Sequence, residues 1–240
     1  SGGTMCPSYM ATRNEADTTR ARANVLRQAL ADPATADPWS RPEIAGAMDL
    51  CLSCKACKSE CPSNVDMARL KAEWQQQLHD TRGVPLRSRL IAGSASSLRL
   101  AAGLAPWAYN LAMTAPGISN LVKWTLGFAP GRSLPPVAQT TLRRWYQRRT
   151  KAMPRPAAAH GRVHLFVDEF TDTLDVPVGI AAVELLEALG YEVVLPEHVD
   201  SGRAQISKGL LREARELAGR NVELLADRVT TAEPLVGLEP

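Results

Sequence analysis

Cysteine is scarce in this 240-residue sequence: there are five, and none follows Cys61. That placement is unlike the spread of a secreted disulfide scaffold. Aromatics make up only 5% of the chain, and no basic patch is interleaved with them. The formal net charge of +3 is too small and too evenly spread to argue for nucleic acid. No apolar run reaches the ~18 residues a transmembrane helix needs, and no secretory signal is visible at the N-terminus. No GxGxxG motif follows the first apolar strand pattern, so a dinucleotide fingerprint is missing. What remains, 45% hydrophobic and 22% charged, is the make-up of a globular chain with room for one large or two small domains.

Four of the cysteines stand in one stretch, CLSCKACKSECP, with the spacing Cys51-x2-Cys54-x2-Cys57-x3-Cys61-Pro62; the fifth, Cys6, precedes a proline of its own. Thiols at intervals of three let one short loop wrap a compact cluster, each thiolate reaching a different iron. This is the bacterial pattern for [4Fe–4S], in which the fourth cysteine ligates the other cluster of a two-cluster protein. A zinc site usually pairs two CxxC units across a longer gap or uses histidine, and none of the four histidines is near the motif. On the two-cluster rule Cys51, Cys54 and Cys57 take Cys6 as their fourth partner. Cys61 then serves a second cluster whose other ligands lie upstream of Ser1. The alternative is a local cluster closed by Cys61, with Cys6 a stray thiol; zinc or inert cysteines also stay open. Lys55, Lys58, Arg20 and Arg22 could bring positive charge to the cluster and stabilise its reduced form, or belong to a solvated face.

The spacing predicts helices over 17–30 (Ala23, Leu26 and Leu30 inward), after Ser40 and Glu43 in capping-box spacing with Pro42 in the first turn, and over 65–80 (Val65, Ala68, Ala72, Leu78). The second of these delivers Cys51. Residues 83–150 are apolar but broken by Pro106, Pro116 and Pro130, so several short helices are expected. They form a layer buried against a partner domain or, because Trp107, Trp124, Arg89, Arg99 and Lys123 suit an interface, a peripheral membrane contact. A basic linker over 142–162 follows. From Val163 strands (163–168, 191–196, 234–239) alternate with helices (177–190, with Ile180, Val183, Leu186 and Leu189 inward, and 207–227), implying a parallel sheet. The fold class is α+β: a helical ferredoxin-like domain over 1–82, a helical connection over 83–160 and a partial α/β domain over 161–240. His164 and His198 are the only strong neutral ligands in the last segment, which is expected to hold neither metal nor dinucleotide. Clustered thiols favour a reducing compartment, the cytoplasm, with attachment at the inner face of the membrane left open. Ser1 at the start and the strand-like PLVGLEP at the end mark the chain as a piece of a longer protein.

The stretches GGTMCPSYMATRNEADTTRARANVLRQAL and DLCLSCKACKSECPSNVDMARLKAEW resemble the iron–sulfur region of bacterial flavin-dependent D-2-hydroxyacid dehydrogenases, the D-2-hydroxyglutarate dehydrogenase type in particular. LFVDEFTDTLDVPVGIAAVELLEALGYEV looks like the start of the cysteine-rich domain that follows it there. The resemblance implies an electron-transfer module: FAD in a flavin-binding module of the parent takes hydride from substrate, and electrons pass through [4Fe–4S] clusters to an acceptor such as a quinone or an electron-transfer protein. No flavin site and no general base is identifiable in the chain, which alone is not expected to turn over substrate. Iron–sulfur subunits of glycolate oxidase, glycerol-3-phosphate dehydrogenase or heterodisulfide reductase type, and a non-enzymatic module with a structural metal, are the alternatives. Asp200-Ser201-Gly202-Arg203 stands where relatives carry Cys-Cys-Gly-Arg, putting any metal role of that segment in doubt, and TRARA replaces TRGRA.

Overall fold

The computed structural model describes residues 6–31, 36–129, 131–152 and 159–238. Contacts group the chain into two units, Ser1–Ala92 with Arg203–Glu213, and Gly93–Gly202 with Ala214–Pro240. The first contains α1 (Pro7–Thr12), α2 (Thr19–Ala31), α3 (Pro42–Asp49), α4 (Ala56–Glu60), α5 (Met67–Arg82) and α6 (Leu86–Ala92). The second has α7 (Ser94–Leu104), α8 (Pro106–Thr114), α9 (Ile118–Thr125), α10 (Leu142–Ala152), β1 (Arg162–Phe166), α11 (Glu169–Thr173), α12 (Val176–Ala188) and β2 (Glu192–Val194). Then α13 (Arg203–Ser207) returns to the first unit, α14 (Leu211–Leu225) crosses the boundary, and β3 (Leu235–Gly237) completes the second. The fold class is α+β, mostly helical with one small parallel sheet.

The core of the first unit is Leu26 and Ala29 of α2, Ile44 and Met48 of α3, Cys57 of α4 and Met67 and Trp74 of α5. A ligand candidate is thus part of the packing that closes the helices around it. Trp74 is satisfied at the core edge, its indole N–H donating to the Trp39 carbonyl at 2.9 Å. Leu30, expected inward, is 49% exposed, whereas α2 turns the guanidinium of Arg22 inward. The expected capping box does not form: Arg41 is the N-cap of α3, without a side-chain bond, and Pro42 fixes the first turn.

In the second unit the strand order is β2-β1-β3, all parallel, with Val163 paired to Val193 and Leu165 to Val236. The strands are shorter than the apolar runs suggest. Val163, Leu165 and Val167 pack with Val193, with Val176 and Val183 of α12, and with Leu142 and Tyr146 of α10. Leu189 is 54% exposed, since α12 stops at Ala188. The helix expected over 207–227 starts later, at Leu211, after a turn that separates it from α13: Gly209 adopts φ +69°, and a Cβ there would lie 2.2 Å from the Gln75 Cβ, so only glycine lets the chain turn at this approach. Residues 153–158 of the expected linker, Pro130, and the end of the last strand at 239 lie outside the described residues.

Gly179 in α12 sets how closely that helix meets α10. A Cβ there would lie 2.3 Å from Leu142 Cδ2, in a fully buried environment. Glycine to alanine inside a helix ordinarily gains about 1 kcal/mol, whereas overpacking a core costs about 1–3 kcal/mol. The clash is with a side chain that has nowhere to go, so Gly179→Ala is expected to lower stability by about 1–2 kcal/mol in urea denaturation of the chain; an increase would show that α12 can slide away.

Candidate metal centre

Cys6, Cys51, Cys54 and Cys57 line one cavity of the first unit together with Arg22 and Met67; Cys61 does not line it. Local structure explains each placement. Cys6 is the residue before α1, in extended conformation with Pro7 opening the helix. Cys51 follows α3, whose end is tied down twice over: Lys71 Nζ donates to the Met48 carbonyl at 2.8 Å and to the Cys51 carbonyl at 2.6 Å, and the Ser8 hydroxyl donates to the Leu50 carbonyl. Between Cys51 and Cys57 the backbone bends through Ser53 (φ 55°) and Lys55 (φ 60°), a left-handed conformation that non-glycine residues adopt sparingly and that clusters at ligand clamps. These bends bring the three thiols of the loop, spaced three residues apart, to the same cavity. Cys57 is buried, Cys6 and Cys51 are half-buried and Cys54 is exposed. Cys61 caps the end of α4, its N–H bonded to the Cys57 carbonyl at 2.9 Å.

Arg22 organises the electrostatics. Only 2% exposed, it donates from Nη1 to the Cys6 Sγ at 2.9 Å and from Nε to the Ala47 carbonyl at 2.7 Å. Its Nη2 lies 3.7 Å from Asp17 Oδ1 and has no hydrogen-bond acceptor among the described residues, although it is buried. A buried N–H without an acceptor is costly unless something anionic comes to meet it. Burial by itself would raise the Cys6 thiol, but the Tyr9 backbone N–H and the Arg22 guanidinium outweigh it and hold Cys6 below its ordinary range. Burial likewise pushes the Lys71 ammonium down, opposed by its attraction to Cys51. Among the described residues no three His, Cys, Asp or Glu side chains converge tightly enough for a single ion. A cubane makes a different demand, one thiolate at each of four separate irons, and thiols spread around a cavity wall meet it. The donor set, the lowered Cys6 thiol and the orphaned Arg22 N–H all fit a cluster that is anionic and sulfur-bound.

Of the other expected residues, Arg20 pairs with Glu15 on the surface and takes no part. Lys58 pairs with Asp66 at 3.7 Å, and both it and Lys55 line an open hollow beside Cys54. The sequence reading missed Ser8, Asp17 and Lys71. Lys71 was detectable in principle, because it falls three residues after Ala68 on the inward face of α5.

Both ring nitrogens of His198 are engaged, whereas His164 keeps a buried Nδ1 with no hydrogen-bond partner among the described residues. His198 stacks on Phe166 with ring centroids 3.9 Å apart; its Nε2 accepts from Val167 N at 3.2 Å and meets Arg143 Nη2 at 2.6 Å, and its Nδ1 donates to the Val199 carbonyl at 2.8 Å. His164, buried, faces Glu233 at 3.3 Å. The Asp200-Ser201-Gly202-Arg203 segment is held by polar bonds. Asp200 takes both guanidinium nitrogens of Arg99, and Ser201 donates N–H and O–H to Glu169 at 3.1 and 2.9 Å. Gly202 has φ +82° against the Ala214 backbone.

Residues 3–66 match the family of 4Fe-4S dicluster domains. The first unit therefore carries an iron–sulfur domain. Along its length the chain is 26% identical to D-2-hydroxyglutarate dehydrogenase of Pantoea ananatis and, again at 26%, to that of Escherichia coli, each alignment covering 98% of this chain and 27% of the relative. It is 24% identical to a probable glycolate oxidase iron-sulfur subunit of Bacillus subtilis, over 90% of this chain and 50% of that protein. The chain thus spans about a quarter of the dehydrogenases it matches. No solved structure matches it. These likenesses support an electron-transfer, iron–sulfur role.

Arg22 is expected to set the potential of the reconstituted centre. Replacing Arg22 by Met, which keeps the stem and removes the donors, should move the midpoint negative by on the order of tens of millivolts in an EPR-monitored redox titration, because an N–H bond to sulfur favours the more negative, reduced state. Arg22→Lys should recover part of the shift. An unchanged midpoint in both variants would show that Arg22 only packs.

Proposed function

We propose that the chain is the electron-transfer portion of an FAD-dependent D-2-hydroxyacid dehydrogenase of the D-2-hydroxyglutarate type. It holds one [4Fe–4S] cluster through Cys6, Cys51, Cys54 and Cys57, and Cys61 serves a second cluster. The single observation that supports the reading is that Cys6, far away in sequence, lines the same cavity as the 51–57 loop, with Arg22 bonded to its sulfur. Such a cluster supplies reversible one-electron storage. The chain's own residues do the rest. Arg22 and Lys71 place positive charge at the buried side. Cys57 and Met67 keep that side dry. Cys54, exposed beside Lys55 and Lys58, is the point of least thickness between the centre and a partner. The partners are a flavin-binding module as donor and a quinone or electron-transfer protein as acceptor. The likeness to the Bacillus subtilis subunit favours a second arrangement, in which donor and relay are separate chains; the relay's task is the same in both.

Five cysteines cannot supply the eight thiolates of two complete clusters. The chain reconstituted anaerobically should therefore bind about four irons and four sulfides. It should bleach with dithionite, recover with a one-electron oxidant, and stay unchanged on addition of D-2-hydroxyglutarate alone. Stoichiometric zinc with no visible absorption, or about eight irons per chain, would contradict the reading.

A further inference from the structure

The helical part of the second unit has a surface that the iron–sulfur role does not use. Between Asp80 and Asp168 the sequence contains thirteen Lys and Arg residues and no Asp or Glu. Within that stretch α9 is packed inside out. Its buried residues are Ser119 and Lys123, while Ile118, Leu121 and Trp124 stand on the opposite side, Trp124 at 77% exposure. Leu100 and Leu104, one turn apart on α7, are exposed, as are Trp107 and Leu111, one turn apart on α8, which buries no residue fully. Helices in water turn apolar residues inward, so a helix that does the reverse has an apolar surrounding on its outer side.

The flanking charge identifies that surrounding. Arg144 of α10 reaches α7, its Nη2 lying 3.8 Å from where a Cβ on Gly103 would be. Arg144, Arg148 and Lys151 of α10 and Arg132 before it are exposed. A protein partner would be expected to meet mixed charge, whereas this stretch offers one sign only. Two cations of these helices are paired with carboxylates from elsewhere in the unit, Arg99 with Asp200 and Arg149 with Glu187, and exposed tryptophans and leucines bordered by further exposed cations match the composition of a segment that lies in a headgroup layer. No helix among the described residues is long and apolar enough to cross a membrane, so attachment is in the plane.

We propose that α7, α8 and α9, flanked by the cations of α10, form a docking surface for an anionic phospholipid bilayer. The outer residues of α9 and α8, led by Trp124 and Trp107, enter the acyl boundary. Arg132, Arg144, Arg148 and Lys151 face the phosphates. The arrangement does not depend on the cluster, so its test stands apart from that of the iron–sulfur reading.

The test is flotation of the 240-residue chain with vesicles of phosphatidylcholine containing phosphatidylglycerol, against vesicles of phosphatidylcholine alone. Binding is expected to the anionic vesicles only, with a blue shift of tryptophan emission, and to weaken at about 0.5 M salt, where the Debye length falls to a few ångströms. The double variant Trp107→Ser, Trp124→Ser should lose binding at least ten-fold while keeping the circular dichroism of the parent. Arg144→Gln with Arg148→Gln should weaken binding to anionic vesicles with the fold intact. No flotation, equal flotation with neutral vesicles, or undiminished flotation of the tryptophan variant would overturn the proposal. A dimer that the tryptophan substitutions dissolve, without vesicle binding, would overturn it in favour of an interface between two copies.

Discussion

One buried cation holds the metal-binding unit together. Arg22 is on the inward face of α2 but touches three other places: the thiol of Cys6 ahead of α1, the carbonyl of Ala47 in α3, and the carboxylate of Asp17 between α1 and α2. A guanidinium this deep is tolerated only if its donors are met, and one nitrogen has no acceptor among the described residues. The unit therefore has a local polar deficit at the place where the thiols gather. The Cys6 thiol meets the guanidinium there, and Cys51, Cys54 and Cys57 line the same cavity. Lys71 repeats the logic from the far side, bridging the carbonyls of Met48 and Cys51.

The second unit solves a related problem without sulfur. At the ends of β1 and β2 the chain sets Asp200 and Ser201 against Arg99, Glu169 and Asn221, through N–H···O bonds and one O–H···O bond. Glu169 is buried, and the N–H and O–H of Ser201 are among the donors that satisfy its carboxyl oxygens there. Asp200 and Ser201, an oddity in sequence, are held in a polar network in three dimensions. The bidentate Arg99–Asp200 pair ties α7 to the loop after β2. The helices that carry the exposed tryptophans and the strands that carry the sheet are thereby parts of one unit.

Much of this was legible in the sequence, and the reasons are local. The three-residue spacing of Cys51, Cys54 and Cys57 is a statement about one short loop, and the structure needs only two left-handed residues to realise it. The α/β pattern from Val163 was readable because buried strands are continuous apolar runs. What periodicity missed is set by contacts far apart in sequence. Arg22 points inward because it has a buried partner sixteen residues before it and another twenty-five after it. Arg20, equally basic and two residues away, faces Glu15 and water. The break at Gly209 depends on its approach to Gln75, which no local window contains. Ser40 fails as a cap because Arg41 and Pro42 already set the first turn of α3.

The central claim is that Cys6, and not Cys61, completes the ligand set of the 51–57 loop. Paired substitution tests it most directly. Cys6→Ser and Cys61→Ser are reconstituted side by side, and iron content is read together with the EPR signal of the reduced protein. The account predicts that Cys6→Ser loses or degrades the centre, while Cys61→Ser retains the iron, sulfide and spectrum of the parent. A centre that survives the loss of Cys6 and collapses without Cys61 would show that the cluster is local to the loop and that the thiol at Arg22 is a bystander.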